Sequence, residues 1–241
     1  PSEAVHNGSM MDPIQLSLFA SRIAAVCDEM GAVLRRAAFS PNIRDRLDYS
    51  CAVFDARGQL CAQAAHIPVH LGSMAFAMRD IVAGREWQPG DQVMLNDPYL
   101  GGTHLPDVTL IAPIFADGRL QAFVVNRAHH ADIGAASPGS MPISSHLDEE
   151  GLVIEPVKLV RADRVDEALV CVGDHQFDAV EAPFLEAAKE VRPGGLVLRD
   201  RFVITLGLVV FQNVLDSLLV PTLRILGSAH RLFFSRRFRA L

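Results

Sequence analysis

Two stretches of this chain hold side chains able to do chemistry. They are Asn96-Asp97-Pro98-Tyr99-Leu100-Gly101-Gly102-Thr103-His104-Leu105-Pro106-Asp107 and Arg127-Ala128-His129-His130-Ala131-Asp132. Two imidazoles and one carboxylate, from His104, Asp107 and His129, can form an open site for a divalent metal. Three protein ligands leave positions for water or substrate, which is the pattern of a catalytic Lewis acid. Mixed nitrogen and oxygen ligands suit Mn, Zn or Fe and do not choose among them. The alternative is polar residues at strand ends, with histidines simply hydrogen-bonded to backbone. His130 and Asp132 stand beside the second cluster as groups that could orient a ligand or move protons. Asp97 precedes a proline, a position where aspartate commonly caps a turn. Arg44, Asp45, Arg46 and Asp48 form an alternating charge run, read as solvated surface. The stretch Ser137-Pro138-Gly139-Ser140 is no nucleophile elbow, and there is no GxxxxGK[ST] loop for phosphate.

These clusters mean something only if the elements between them fold back. Val108 to Phe115 and Arg119 to Asn126 are apolar runs joined by Ala116-Asp117-Gly118, the clearest hairpin in the chain. A three-residue turn pairs Phe115 with Arg119 and sets Asp107 opposite Arg127 and His129 opposite Leu105. Alternation then puts Asp107 and His129 on one face, roughly 7 Å or less apart, with His130 pointing away. His104 lies beyond Pro106, close enough to swing in, and Gly101 and Gly102 let the backbone turn before it. Pro113 cannot donate to a ladder, so this strand is expected at an edge or with a local irregularity.

Upstream, Asp12 is a good N-cap with Pro13 in the first turn. Leu16, Phe19, Ile23, Val26, Met30 and Val33 make one apolar stripe, so a long helix is expected from Asp12 to about Phe39, before Pro41. Tyr49 to Phe54 and Gln59 to Ala65 form a first hairpin around Asp55-Ala56-Arg57-Gly58. A loop from His66 to His70 leads to a short helix over Gly72 to Val82, and Gln92 to Leu95 is a short strand. Ala136 to Ser145 is expected as loop. The architecture is therefore α+β: a long N-terminal helix packed on antiparallel β-hairpins, with the metal at the end of the second hairpin.

The chain has 241 residues, half of them hydrophobic, enough for a sizeable core. Its net charge of −6 argues against nucleic-acid partners. The four cysteines (Cys27, Cys51, Cys61, Cys171) show no metal-knuckle or CxxC spacing and read as buried, reduced thiols. Residues 1–11 look like a disordered leader without the features of a signal peptide, which makes the cytoplasm the expected location. Phe202 to Leu226 is strongly apolar but holds Asp216, Pro221 and Arg224. A buried helix or an ill-folded tail is favoured there over a membrane span.

Four motifs, NDPYLGGTHLPD (96–107), RAHHAD (127–132), AAHIPVHLG (64–72) and AFSPN (38–42), closely resemble the hydantoinase B/oxoprolinase family. The family includes N-methylhydantoinase B, the C-terminal part of 5-oxoprolinase, and the large subunits of acetone- and acetophenone-type carboxylases. The resemblance covers residues 12–169. It implies a hydantoinase A-type partner subunit of kinase-like fold that uses ATP to activate a small cyclic-amide substrate. This chain would then contribute to ring opening, or in the carboxylase branch to carboxylation of a ketone. It also implies that His104, Asp107 and His129 are the metal ligands, and that His66 and His70 line the substrate cavity or serve a structural role. Family members are considerably longer. Residues 170–241 match nothing expected there, and the tail from His230 carries Arg231, Arg236, Arg237 and Arg239 with no acid among them. That change reads as a truncated or frame-shifted end, which leaves a catalytically inactive fragment as a further reading.

Overall fold

The computed structural model describes residues 12–165, apart from 39, 65, 66, 136 and 138–142. The leader (1–11), the tail (170–241), Cys171, His66 and much of the Ser-Pro-Gly stretch fall outside the described residues. Three helices, α1 (Pro13–Ala37), α2 (Pro41–Arg44) and α3 (Pro68–Ala83), accompany seven strands. The strands are β1 (Tyr49–Asp55), β2 (Leu60–Gln63), β3 (Gln92–Leu95), β4 (Asp107–Ala116), β5 (Arg119–His129), β6 (Val157–Arg161) and β7 (Arg164–Val165). Mixed helix and antiparallel sheet is the α+β class expected. The two hairpins do not stand apart, however. They join one antiparallel sheet in the order β2-β1-β5-β4-β3-β6-β7.

A helix covers each face of that sheet. Asp12 caps α1, its carboxylate accepting from the Ile14 N–H at 3.1 Å, an interaction worth about 1 kcal/mol. Phe19, Ile23, Val26, Met30 and Leu34 of α1 bury against Cys51 and Val53 of β1, Ala122 and Val124 of β5, and Ala112 and Ile114 of β4. The opposite face, with Ala52, Phe54, Ile111, Phe123 and Val125, receives Met74, Ala77, Met78 and Ile81 of α3. Burial on both faces is why β1 and β4 read as continuous apolar runs. Cys27, Cys51 and Cys61 are free and buried as expected, and burial pushes the Cys27 thiol up to about 12.

Two expectations need correction, and a third, the irregularity beside Pro113, holds. Helix α3 begins at Pro68 rather than Gly72, because Pro68 takes the first-turn position where its missing N–H costs nothing; His70 is therefore helical. Pro113 lies in a strand with neighbours on both sides, but the register with β3 stops at Ile111, two residues before it. A bulge follows at Ile114/Phe115, the local irregularity expected beside the proline. The hairpin turn has two residues, not three: Asp117 (φ 53°) and Gly118 (φ 70°) are both left-handed and pair Ala116 with Arg119. Turn and bulge together move the register by two residues, so Asp107 sits directly opposite His129. A shift of two keeps every side chain on its expected face. Among the described residues no helix is long and apolar enough to cross a membrane.

The turn offers a test of that register. Nothing crowds the position a Cβ would take at Gly118, so a side chain there meets only the backbone cost of φ +70°. Gly118→Val should destabilise the fold by about 1–2 kcal/mol, seen as a lower urea midpoint. An unchanged midpoint would contradict the two-residue turn.

Candidate metal centre

Register and parity build the site. Odd residues of β4 and β5 and even residues of β1 face α3. At one end of the sheet this places Asp107, the first residue of β4, against His129, the last of β5. Strand β1 starts beside them, Tyr49 pairing with Ala128, so Asp48 sits at the rim, its carbonyl accepting from the His129 N–H at 3.0 Å. The first turn of α3 brings in His70, and the loop before β4 brings in Thr103 and His104.

These groups converge on the Asp107 carboxylate. Oδ1 lies 3.0 Å from His129 Nδ1, and Oδ2 lies 3.3 Å from His70 Nε2 and 3.6 Å from His104 Nδ1. The Thr103 hydroxyl donates to Oδ2. His104 Nε2 is 3.2 Å from His129 Nδ1. Asp48 is 3.8 Å from both His70 Nε2 and His129 Nδ1. Asp107, His129 and His70 form a buried floor, whereas the side chains of His104 and Asp48 stay 39% and 31% exposed and make the rim. The charge run containing Asp48 is therefore not all solvated surface: strand pairing carries its last member into the cluster.

Burial opposes charge on Asp107, but hydrogen bonds from His129, His70 and Thr103 outweigh it, helped by His104. The carboxyl is held well below the ordinary carboxylate range. Burial lowers His104, and the neighbouring His129 adds to this against the pull of Asp107. An ionised carboxylate beside a neutral imidazole is the protonation state that cation binding requires. The spacing fits as well. One ligand atom from each of His104, Asp107 and His129 lies within 4.8 Å of the other two, near the span that a pair of ligand bonds of about 2.0–2.2 Å allows. Among the described residues the buried His129 Nε2 has no hydrogen-bond partner, and the ring meets Asp107, His104 and Asp48 through Nδ1. These residues can hold a divalent ion.

The family model described as hydantoinase B/oxoprolinase matches residues 12–176. The chain belongs to this family. It is 43% identical over 163 residues to a 5-oxoprolinase of Dictyostelium discoideum, a match covering 66% of this chain and 13% of that protein. It is 36% identical over 157 residues to the putative B component of a D-/L-hydantoinase from a Pseudomonas species, covering 62% of this chain and 26% of the relative. Among solved structures, the ATP-dependent caprolactamase of Pseudomonas jessenii aligns with a TM-score of 0.66 at 26% identity, over 93% of this chain and 37% of the other. An acetone carboxylase shares the fold at a TM-score of 0.70 and 20% identity, over 93% of this chain and 28% of the other. The chain spans only 12–30% of the length of the first curated relatives it matches.

The other expected residues of this hydantoinase B-family chain take different places. Asp132 accepts from the Gly134 N–H at 2.7 Å, closing a local turn. The His130 N–H is bound to the Pro106 carbonyl at 2.8 Å. Asp97 caps its own turn through the Tyr99 N–H at 2.8 Å. His70 is only 1% exposed, which puts it under the site rather than along a cavity wall.

Sequence reasoning passed over Asn96 and Arg127, which hold the frame, and read Gly102 only as a turn position. Asn96 donates to the carbonyls of Leu105 and Leu152 and accepts from the Ile154 N–H, pinning the loop that carries His104. A Cβ on Gly102 would lie 2.0 Å from the Asn96 carbonyl oxygen, so only glycine fits there. Arg127, fully buried, donates to Thr109 on the neighbouring strand, Ser73 of α3 and the Gly101 carbonyl. Burial lowers its guanidinium to about 10, with Asp107 pulling the other way, so it stays cationic at neutral pH. Among the described residues it makes no ion pair. The signal was available, since Arg127 shares a strand face with His129. Arg127→Met should orphan three acceptors and destabilise the fold by about 3 kcal/mol. A loss under about 1 kcal/mol in chemical unfolding would show that the three bonds contribute little.

Proposed function

We propose that residues 12–169 are the metal-binding portion of a hydantoinase B-type subunit, acting in ATP-dependent opening of small cyclic amides of the hydantoin or 5-oxoproline kind. Residues 170–241 are a divergent tail on this reading. The observation that carries the proposal is the meeting of His104, Asp107 and His129, one ligand atom of each within 4.8 Å of the others, around a carboxylate held in its ionised form. Family membership supports the substrate class, as do relatives named as 5-oxoprolinases and as the B component of a hydantoinase.

ATP would be used by a hydantoinase A-type partner. We place the reaction in the cytoplasm, in keeping with the free buried cysteines. His104, Asp107 and His129 would hold Mn, Zn or Fe. Such an ion supplies Lewis acidity toward a carbonyl. The chain's own part is preorganisation: Asp107 is fixed as an anion on the floor, His104 offers a neutral nitrogen at the rim, and Arg127 locks both sides of the pocket together.

Elemental analysis of the purified full chain should find about one Mn, Zn or Fe ion, lost in His104→Ala. A metal-free folded chain would refute the reading and favour an inactive fragment. With an A-type partner added, turnover tests the substrate class. The informative readout is which substrate stimulates ATP consumption. Stimulation by hydantoin or 5-oxoproline supports the proposal, and stimulation by a ketone with bicarbonate alone would move it to the carboxylase branch.

A further inference from the structure

A second group of potential ligands, Asp48, His70 and Asp107, adjoins the first and shares Asp107 with it. Two arrangements compete. His70 could be a ligand to a second ion, its Nε2 bare and facing two carboxylates. Alternatively its Nε2 could carry a proton and donate to Asp107. The hydrogen bonds behind the ring distinguish them.

His70 Nδ1 lies 3.2 Å from the Ser50 hydroxyl oxygen, and the Ile67 N–H donates to that same oxygen at 3.3 Å. Ser50 is fully buried. Its oxygen already accepts one proton, and the hydroxyl's own proton needs an acceptor, which His70 Nδ1 supplies. An accepting Nδ1 leaves the ring proton on Nε2, 3.3 Å from Asp107 Oδ2. Oδ2 then accepts from Thr103 and has the His70 Nε2 proton beside it, while Oδ1 faces His129. One oxygen is occupied by donors from within the protein, and the other is left for a cation.

We infer that His70 is a positioning residue, its proton fixed on Nε2 by Ser50, so that it orients Asp107 for a single metal ion. The inference rests on the metal reading above. It removes His70 from the substrate cavity and gives Ser50 an indirect role in metal affinity. Outer partners of this kind typically change metal affinity 10–100-fold when removed.

The test titrates the full-length chain with Zn²⁺ alone against a chromophoric chelator, for wild type, His70→Gln, His70→Asn and Ser50→Ala. The glutamine amide nitrogen reaches about as far as Nε2, whereas that of asparagine reaches only about as far as Nδ1. Expected results are one ion per chain throughout, with affinity roughly 10–100-fold weaker in His70→Asn and restored to within about threefold by His70→Gln. Ser50→Ala should be intermediate, and it tests the idea even where a His70 variant fails to fold. Melting of the metal-free chains separates lost affinity from lost fold. Equal affinities for the Gln and Asn variants would overturn the inference, as would an unchanged Ser50→Ala. Two ions in wild type falling to one in the His70 variants would make His70 a ligand and overturn it too. A wild-type chain that binds no ion would fail earlier, at the metal reading itself.

Discussion

The structure turns on one buried carboxylate. Asp107 is 1% exposed, and an isolated charge there would be costly. It stays ionised because imidazoles approach both of its oxygens and the Thr103 hydroxyl donates to one of them. Each partner comes from a different part of the chain: β5, the first turn of α3, and the loop before β4. Forming this small knot of polar contacts requires that the sheet register, the helix start and the loop path all be right together. Arg127, on the same face two residues before His129, lies near enough for Asp107 to favour its charged form.

The three-layer arrangement explains why the knot can persist. With α1 on one face and α3 on the other, the central strands are buried on both sides, and the partly exposed members of the cluster are His104 and Asp48 at its rim. A low-polarity surround strengthens every electrostatic contact inside it. Strands β4 and β5 supply Asp107 and His129, whereas the loop before β4 supplies His104 at the rim. The loop carrying His104 is held by Asn96 and by the close approach at Gly102. A site of this kind is fixed at its base and open at its mouth, which suits a group that must admit a substrate.

Some of this was legible in the sequence, and the limits have physical causes. The meeting of Asp107 and His129 could be read because side-chain alternation depends only on register parity. The turn and the bulge each displaced the pairing by one, and two such errors left the faces unchanged. Helix α1 was readable from its cap and stripe, although burial shifted slightly to include Cys27 and Leu34. The positions of Asp48 and His70 were not readable. Asp48 depends on β1 pairing with β5 rather than only with its hairpin partner β2, a contact across about 80 residues. His70 depends on Pro68 starting a helix where the Pro-flanked histidines looked like loop. Strands β6 and β7 were missed as well, being short and only partly apolar. Local patterns thus gave the pieces that face each other across a turn, and long-range pairing decided what joined them.

Anomalous diffraction at the metal edge, on crystals of the purified chain, measures the central claim most directly. The account predicts one peak about 2.0–2.2 Å from a nitrogen of His104, a nitrogen of His129 and an oxygen of Asp107, with His70 outside bonding distance. A peak elsewhere on the molecule, or Asp107 bonded only by its protein partners in crystals grown with excess metal, would contradict it.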